Sequence, residues 1–310
     1  MDKNRTVILR SRPGSHVEAT NFAIVDLPIP TPDEGQLLLE NLYLSIDPGV
    51  RNLLGANEGY LPPIAIGAAM SGTVMGRVRQ SRSPDFEEGD LIVGRGTLGE
   101  YGIVTPTRLC WKVDPAFSAF PEVALGVMGV PGLTAYFGLM EIGRPQPGQT
   151  LLVSSAAGGV GSIAAQLGRI AGCHVVGIAG GPEKTAMLIE EYGLDAAIDY
   201  RGKDVTALAE AIGAACPAGV DVFFDNVGGM VLDATLARMN HGGRIAACGF
   251  ISQYDAASPP VMTNLFHLIA KALDLRGFLL FEFEDQYERA RVELGRWLAE
   301  GRIRFRTEVF

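Results

Sequence analysis

The sequence predicts an α/β protein with a mostly β N-terminal part followed by a doubly wound parallel sheet. Over roughly the first 120 residues, short apolar runs alternate with clusters of Pro, Gly and Asp, which is typical of a barrel or sandwich of short strands. From Gln149 onward, strand-like and helix-like segments alternate regularly. This alternation favours parallel strands with helices on both faces of the sheet.

The individual elements follow from the apolar runs and from the turn residues between them. In the N-terminal part, the predicted strands are residues 6–9, 36–44, 70–78, 90–94 and 100–104. In the second part, they are residues 150–155, 174–179, 196–199, 220–225, 243–249 and 274–280. The predicted helices of the second part are residues 159–171, 182–192, 204–214, 230–239 and 261–273.

Composition and charge exclude several classes of protein. Of the 310 residues, 47% are hydrophobic and 20% charged, which is typical of a globular chain and excludes disorder over most of it. The formal net charge of −9 argues against nucleic acid as a partner. The charge-free stretches 123–140 and 145–168 are broken by Gly and Pro, so we expect buried core there and no membrane span. Residues 1–20 carry charges and no apolar core, so we expect no signal peptide.

A glycine-rich turn joins the first strand of the second part to its helix. Against the dinucleotide fingerprint G-x-G-x-x-G, Ala156 stands at the first glycine, Gly158 at the second and Gly161 at the third. Small residues let the backbone approach a pyrophosphate, while the helix starting at Gly159 directs free N–H groups at it. The alternative is a tight turn without a ligand. Because the turn lies between a strand and a helix, as the fingerprint requires, we expect a dinucleotide site.

The second strand, 174–179, bears on the choice of dinucleotide. Sites for NAD usually carry an Asp or Glu about 20 residues after the glycines, where it binds the ribose 2′-hydroxyl. Here the strand ends in Gly180 and Gly181, and Lys184 follows in the next helix, where a cation can meet a 2′-phosphate. Lys184 can equally be a solvated helix residue, with Glu183 weakening the local positive field. We predict NADP(H) as the cofactor.

Potential metal ligands are scattered along the chain. A structural zinc site needs clustered thiolates, and the cysteines are widely spaced, which fits a reducing cytoplasm better than a metal or disulfide framework. The cysteines are Cys110, Cys173, Cys216 and Cys248, and the histidines are His16, His174, His241 and His267. We therefore expect metal-free chemistry.

Short motifs spread along nearly the whole chain carry a family resemblance. They are LYLSIDP (42–48) with Arg51, YLPP (60–63), MGVPGLTAY (128–136), GGVG (158–161), GPEK (181–184), FDNVGG (224–229) and CGFISQY (248–254). These motifs resemble the zinc-independent medium-chain dehydrogenases/reductases, most closely the group of prostaglandin reductases (leukotriene B4 dehydrogenases) and NADP-dependent alkenal double-bond reductases. Zinc-dependent relatives carry G-H-E-x-x-G-x-V, whereas this chain has GAAMSGTV at 67–74, with alanines in place of His and Glu.

The resemblance implies reduction of the C=C bond of an α,β-unsaturated aldehyde or ketone by NADPH, with hydride delivered to the β-carbon and the enolate then protonated. Tyr254 matches the family tyrosine that reaches the substrate carbonyl, although a tyrosine packed in a loop is the alternative. Gly49 and Tyr60 match positions of the substrate pocket. Asn226 matches a cofactor contact and can equally be a turn residue. The implied cofactor-binding residues are Gly158, Gly159, Val160, Gly161, Lys184, Tyr200, Asn226, Cys248, Gly249, Phe250, Ile251, Ser252, Tyr254, Phe278, Leu279 and Leu280.

The resemblance also implies the domain organisation and the assembly. A GroES-like catalytic domain is expected over residues 1–124 and 297–310, and a Rossmann NADP-binding domain over residues 125–296. A cytoplasmic homodimer acting on a small-molecule enone or alkenal is expected. Two alternatives stay open, namely an NADPH:quinone reductase of the same superfamily and a non-catalytic NADPH-binding protein.

Two departures from the family pattern affect these expectations. Members of the group usually read Asp-Pro-Tyr-Met-Arg, with the Tyr lining the substrate pocket, whereas this chain has Gly49 at that position. Loss of the ring predicts a larger pocket or a looser grip on the substrate. The resemblance also stops at Phe310, before a closing segment with a Gly-x-Asn-x-Gly-Lys motif that normally supplies a further cofactor contact.

Overall fold

The chain forms two compact units, Met1–Leu125 and Gly126–Phe310. They are described from a computed structural model that covers residues 3–55, 61–114, 120–254 and 260–310. In this division, residues 297–310 fall in the second unit. There the buried Gln166 side chain both donates to and accepts from the backbone of Arg304, at 2.8 Å in each case.

The first unit is built mainly from antiparallel strands. Strand β1 (Lys3–Leu9) pairs with β2 (Phe22–Pro28). A five-stranded sheet has the order β6-β3-β4-β5-β7. Its strands are β3 (Leu37–Leu44), β4 (Ser71–Ser81), β5 (Leu91–Thr97), β6 (Tyr101–Val104) and β7 (Trp111–Lys112). Residues such as Leu39, Val74 and Ile92 are fully buried between these strands and form the core of the unit. The described part of the unit also contains a 3₁₀ turn (Ala19–Asn21), a 3₁₀ helix (Pro48–Leu54) and a short helix α1 (Pro121–Leu125).

The second unit contains a six-stranded parallel sheet with the order β10-β9-β8-β11-β12-β13. Its strands are β8 (Thr150–Val153), β9 (His174–Ala179), β10 (Ala196–Asp199), β11 (Val220–Asp225), β12 (Met239–Ala247) and β13 (Asp274–Gly277). Numbered from β8, this is the order 3-2-1-4-5-6 of the Rossmann fold. The predicted α/β fold class is therefore confirmed.

Helices precede, connect and follow the strands of this sheet along the chain. They are α2 (Val130–Phe137), which continues into a π-helical turn (Gly138–Gly143), α3 (Gly159–Ile170), α4 (Pro182–Glu190), α5 (Val205–Ala215), α6 (Gly229–Leu236), α7 (His267–Ala270) and α8 (Tyr287–Ala299). The central strand β8 is buried along its whole length, as expected for a strand covered on both faces. Within the described parts of the chain, no helix combines the length and the apolar character needed to cross a bilayer.

The structure corrects the predicted helix over residues 261–273, of which only α7 is α-helical. The preceding segment is attached to helix α6 instead, because the Asp233 carboxylate accepts hydrogen bonds from the backbone N–H groups of Thr263 and Asn264 at 2.7–3.1 Å. These N–H groups are thereby taken up by a side chain from another element. The predicted helix over 230–239 also ends earlier, at Leu236, and β12 begins at Met239.

Candidate dinucleotide-binding site

The second unit gathers most of the predicted site residues at one edge of its sheet. In a parallel sheet the carboxyl ends of all strands lie at the same edge, and ligands bind there at the point where the strand order reverses. That point lies between β8 and β11 in this structure. The predicted residues follow the strands β8 (Gly158–Gly161), β9 (Lys184), β10 (Tyr200), β11 (Asn226), β12 (248–254) and β13 (Phe278–Leu280).

The turn after β8 has the close backbone approach that the fingerprint requires. Ser155 adopts a positive φ of 50°, and its carbonyl accepts the Gly158 N–H at 2.9 Å. A Cβ placed on Gly161 would lie 2.2 Å from the Ser155 carbonyl oxygen, so a side chain cannot be accommodated at that position. Helix α3 starts directly after Gly158, and its first N–H groups have no partner within the helix. The turn therefore suits an anion such as a pyrophosphate.

At the end of β9, two glycines are covered by side chains that follow β10. A Cβ on Gly180 would lie 3.1 Å from the Tyr200 ring, and a Cβ on Gly181 would lie 2.8 Å from the Arg201 guanidinium. Gly181 also has a φ of 96°, which an L side chain rarely adopts. Lys184 is exposed in the first turn of α4. The Tyr200 ring and the Arg201 guanidinium thus lie at the end of β9, where NAD sites carry an acid, and Lys184 is in the helix that follows.

Asp199, the last residue of β10, holds this arrangement together. Its carboxylate accepts the Gly181 N–H at 2.9 Å and the Arg201 N–H at 3.1 Å. The Arg201 side chain donates to the same carboxylate through Nε and Nη2 at 3.1–3.4 Å. The Arg201 side chain and the backbone donors lower the pKa of Asp199 to about 2. The carboxylate is therefore ionised at neutral pH, with its charge paired.

A buried polar cluster connects β8 to β11. The Ser154 hydroxyl donates to the Asp225 carboxylate at 2.8 Å, and neither residue is exposed. The same carboxylate accepts the N–H groups of Val227 and Gly228 at 3.0–3.1 Å. Burial raises the pKa of Asp225, while these donors act in the opposite direction. Asn226 is fixed next to it, because its side-chain amide donates to the Ser154 carbonyl at 2.7 Å.

The segment after β12 is attached to this cluster. The N–H groups of Cys248 and Gly249 donate to the Asp225 carbonyl at 2.8 and 3.1 Å. The Ser252 hydroxyl donates to the Val227 carbonyl at 2.6 Å. A Cβ on Gly228 would lie 2.2 Å from the Phe250 ring, so the two loops are in close contact. The structure thus holds the loops after β11 and β12 together as one surface.

The surroundings of Cys248, Phe278 and Tyr254 affect the roles predicted for these residues. Burial, together with the negative charge of Asp225, raises the pKa of Cys248 to about 12, so its thiol stays protonated and is a poor nucleophile. The Phe278 side chain is buried against Gly138 and Phe283, so a cofactor contact at this position would use the backbone. The half-buried Tyr254 has its hydroxyl near Gly249, where an added Cβ would lie 3.6 Å away.

The remaining predicted site residues lie elsewhere. Gly49 is half-buried in the 3₁₀ helix of the first unit, and Tyr60 lies outside the described residues. In the part of the chain that the structure covers, His, Cys, Asp and Glu side chains form no group of three that could hold a metal ion. The residues that sequence reasoning missed are Ser154, Asp199, Arg201 and Asp225. The available signal was Tyr200, which adjoins Asp199 and Arg201, and Asn226, which adjoins Asp225.

Together, the doubly wound sheet and the glycine turn define a dinucleotide-binding fold, and comparison with known proteins places the chain among oxidoreductases. A family model described as N-terminal domain of oxidoreductase matches residues 5–112, and one described as zinc-binding dehydrogenase matches residues 159–294. The NADPH-dependent curcumin reductase of Escherichia coli (strain K12) is 38% identical over 99% of this chain and 89% of its own. The NADP(+)-dependent 2-alkenal reductase of Nicotiana tabacum is 37% identical over 92% of this chain and 84% of its own.

A solved structure gives the same result at the level of the fold. The crystal structure of CurA from Vibrio vulnificus in complex with NADPH is 36% identical, with a TM-score of 0.90 over 99% of this chain and 91% of the other. The chain therefore belongs to the zinc-independent medium-chain dehydrogenases/reductases, in the group that includes the prostaglandin reductases and alkenal reductases.

Proposed function

We propose that the chain reduces the C=C bond of α,β-unsaturated aldehydes and ketones with NADPH. Its family membership makes it an NADP-dependent oxidoreductase. The observation that carries the choice of substrate class is the similarity, over nearly its whole length, to reductases named for curcumin and for 2-alkenals. Both compounds contain a C=C bond conjugated to a carbonyl group. An enone or alkenal of small size is the substrate class that follows.

The glycine turn and the start of α3 support a cofactor site in the second unit. We assign the pyrophosphate to Gly158, Gly159, Val160 and Gly161, because a Cβ at Gly161 would fill the space that the backbone turn needs. Lys184 and Tyr200 are assigned to the 2′-phosphate. Asn226, residues 248–252 and the backbone of residues 278–280 are assigned to the nicotinamide half. When bound, NADPH supplies the hydride for the β-carbon.

The remaining task of the protein is to stabilise the charge that develops on the substrate carbonyl oxygen. We assign this role to Tyr254, whose hydroxyl can donate a hydrogen bond to that oxygen and promote protonation of the enolate at the α-carbon. Gly49 and Tyr60 are assigned to the substrate pocket. The protonated thiol of Cys248 leaves no activated nucleophile at this position, which fits a reaction without a covalent enzyme intermediate.

We also propose that the protein works as a homodimer in the cytoplasm. Strand β13 supports the first proposal, because all four of its residues are exposed at the edge of the six-stranded sheet. Such an edge offers unpaired backbone groups to a second copy. The scattered cysteines support the second, because the four described thiols are free. Sedimentation of the purified chain would measure the oligomeric state.

The substrate class is tested by following NADPH oxidation with a 2-alkenal, an aromatic enone and a para-quinone, each repeated with NADH. We expect turnover of the alkenal and the enone, with a preference for NADPH. Turnover of the quinone alone would replace the proposal with a quinone reductase. Absence of turnover with all three, while NADPH still protects the chain against thermal unfolding, would instead indicate a nucleotide-binding protein without this activity.

A further inference from the structure

We propose that Arg201 is a specificity-determining residue for the cofactor, and that Asp199 holds its guanidinium over Gly181 so that it selects a 2′-phosphate. This inference rests on the proposed NADPH-binding site and adds to it a residue that the motifs do not identify. Its basis is the contact between Arg201, which follows β10, and Gly181, which follows the neighbouring strand β9.

The Arg201 guanidinium lies at the end of strand β9. In a parallel sheet of this type the adenosine ribose lies at the end of the second strand, which is β9 here. The guanidinium lies against Gly181, directly after that strand, because the Cζ and Nη2 atoms would both be 2.8 Å from a Cβ at this glycine. A residue with a side chain at position 181 would displace Arg201. Gly181 therefore leaves room for the guanidinium beside the ribose position.

The Asp199 carboxylate fixes the orientation of the Arg201 guanidinium. Asp199 binds it through Nε and Nη2, so Nη1 is not part of this pair. The Arg201 side chain is 57% exposed, so donors remain accessible to an incoming anion. A planar guanidinium suits phosphate oxygens because its donors form a rigid fork. Asp199 also accepts hydrogen bonds from the N–H groups of Gly181 and Arg201. The same carboxylate therefore orders the backbone at Gly181 and the Arg201 side chain above it.

The charged side chains at the site are the ion pair of Arg201 with Asp199 and the residues in the first turn of α4. A carboxylate beside a 2′-phosphate would repel it, but the charge of Asp199 is paired with Arg201. Lys184 in the first turn of α4 adds a second positive charge, which the adjacent Glu183 partly offsets. A site with this balance gains more from the dianionic phosphate of NADPH than from the neutral 2′-hydroxyl of NADH. Arg201 is therefore expected to contribute to selection between the two cofactors and little to binding of their common part.

The test measures binding of two fragments, 2′,5′-ADP and 5′-AMP, to the full-length chain by calorimetry. In Arg201→Ala, affinity for 2′,5′-ADP is expected to fall about 10-fold, as for loss of one charged hydrogen-bonding partner, with affinity for 5′-AMP unchanged. The matched control is Arg289→Ala, which removes a similarly exposed arginine (52%) paired with Glu141 at 2.7 Å. This control is expected to bind both fragments like the unmodified chain.

Two results would overturn the proposal. An equal loss for both fragments would mean that Arg201 contacts the adenine or supports the loop, and an unchanged affinity for 2′,5′-ADP would mean that it does not contact the phosphate. Because the experiment measures binding without turnover, an inactive protein that still shows the selective loss would refute the proposed reaction and leave the role of Arg201 intact. Failure of the unmodified chain to prefer 2′,5′-ADP would overturn both the NADP assignment and the role of Arg201.

Discussion

Single residues determine which parts of the site could be predicted from sequence. Gly158 and Gly161 were identified because their spacing reflects a backbone requirement, and the 2.2 Å approach at Gly161 shows the physical reason. Arg201 was not identified, because its relevance comes from the adjacency of β9 and β10 and from its contact with Asp199. Phe278 was predicted as a cofactor contact, yet its ring is turned into the core against Gly138. Sequence position does not specify such a side-chain direction.

The assignment of Tyr254 is tested by replacing its hydroxyl. Tyr254→Phe is expected to lower turnover of an enone about 10²-fold, because loss of one donor to a developing oxyanion costs a factor of this order. The affinity for NADPH should change much less, since the hydroxyl is assigned to the substrate carbonyl. Steady-state kinetics with the enone and fluorescence titration with NADPH measure the two effects separately.

The control for this variant is Tyr101→Phe, which removes the hydroxyl of a half-buried tyrosine in strand β6 of the first unit. It should retain both activity and cofactor affinity. If Tyr254→Phe also kept full activity, Tyr254 would have no part in the reaction, and its position beside Gly249 would reflect packing of the loop.

Among the elements, the loops after β11 and β12 depend on strand β8 for their position. The Asp225 carboxylate accepts a hydrogen bond from the hydroxyl of Ser154, which directly follows β8. The Asp225 carbonyl accepts hydrogen bonds from the N–H groups of Cys248 and Gly249 after β12. The sequence indicated each strand through its apolar run but not this connection, which requires the strand order. The incorrect helix over 261–273 has a similar cause. Its apolar pattern is helix-like, while Asp233 on α6 binds the backbone at Thr263 and Asn264.

Removal of the Ser154 hydroxyl tests the connection between these loops. Ser154→Ala is expected to lower the free energy of unfolding by about 1–3 kcal/mol, because it deprives a buried carboxyl of a hydrogen-bond donor. The matched control is Ser162→Ala in α3, since this buried hydroxyl has only a 3.5 Å contact with the Gly159 carbonyl. Denaturant unfolding of both variants measures the difference, and an equal or smaller loss in Ser154→Ala would contradict the role given to this hydroxyl.

The same variant has an expected pH dependence. Burial raises the pKa of Asp225, so the folded state binds its proton more tightly than the unfolded state does. The free energy of unfolding therefore falls as pH rises from the ordinary pKa of a carboxyl through the raised folded-state value. Because the Ser154 hydroxyl lowers the pKa of Asp225, its removal raises that pKa further. The destabilisation in Ser154→Ala should thus grow as pH rises through this range, and a constant difference would contradict it.

For the whole molecule, the fold class followed from the change between a β-rich pattern and a strand–helix alternation, and the parallel six-stranded sheet confirms it. Strand β2 was not predicted, because its residues are half-buried or exposed and its apolar pattern is therefore weak. Helix α8 was not predicted either, and it buries a single stripe that includes Ala290, Leu294 and Trp297. The charged residues between these positions make the segment polar on average, so its apolar stripe is weak in the sequence. Burial against the rest of the unit is what stabilises this helix.

The division of the chain into a catalytic and a nucleotide-binding part stays a prediction. The second unit alone contains the glycine turn, the cations at the end of β9 and the cluster around Asp225. The first unit contains Gly49, where the expected aromatic ring is replaced by a hydrogen atom. The predicted nucleotide-binding residues therefore all lie in the second unit, whereas Gly49, predicted for the substrate pocket, lies in the first.

The proposed reaction delivers hydride to the β-carbon of a conjugated carbonyl compound. This claim is tested by reduction of a 2-alkenal with NADPH that carries deuterium at the transferable C4 position, followed by NMR of the product. We predict a saturated aldehyde with deuterium at the β-carbon and a solvent-derived proton at the α-carbon. An allylic alcohol with deuterium at the former carbonyl carbon would contradict the claim and identify the chain as a carbonyl reductase.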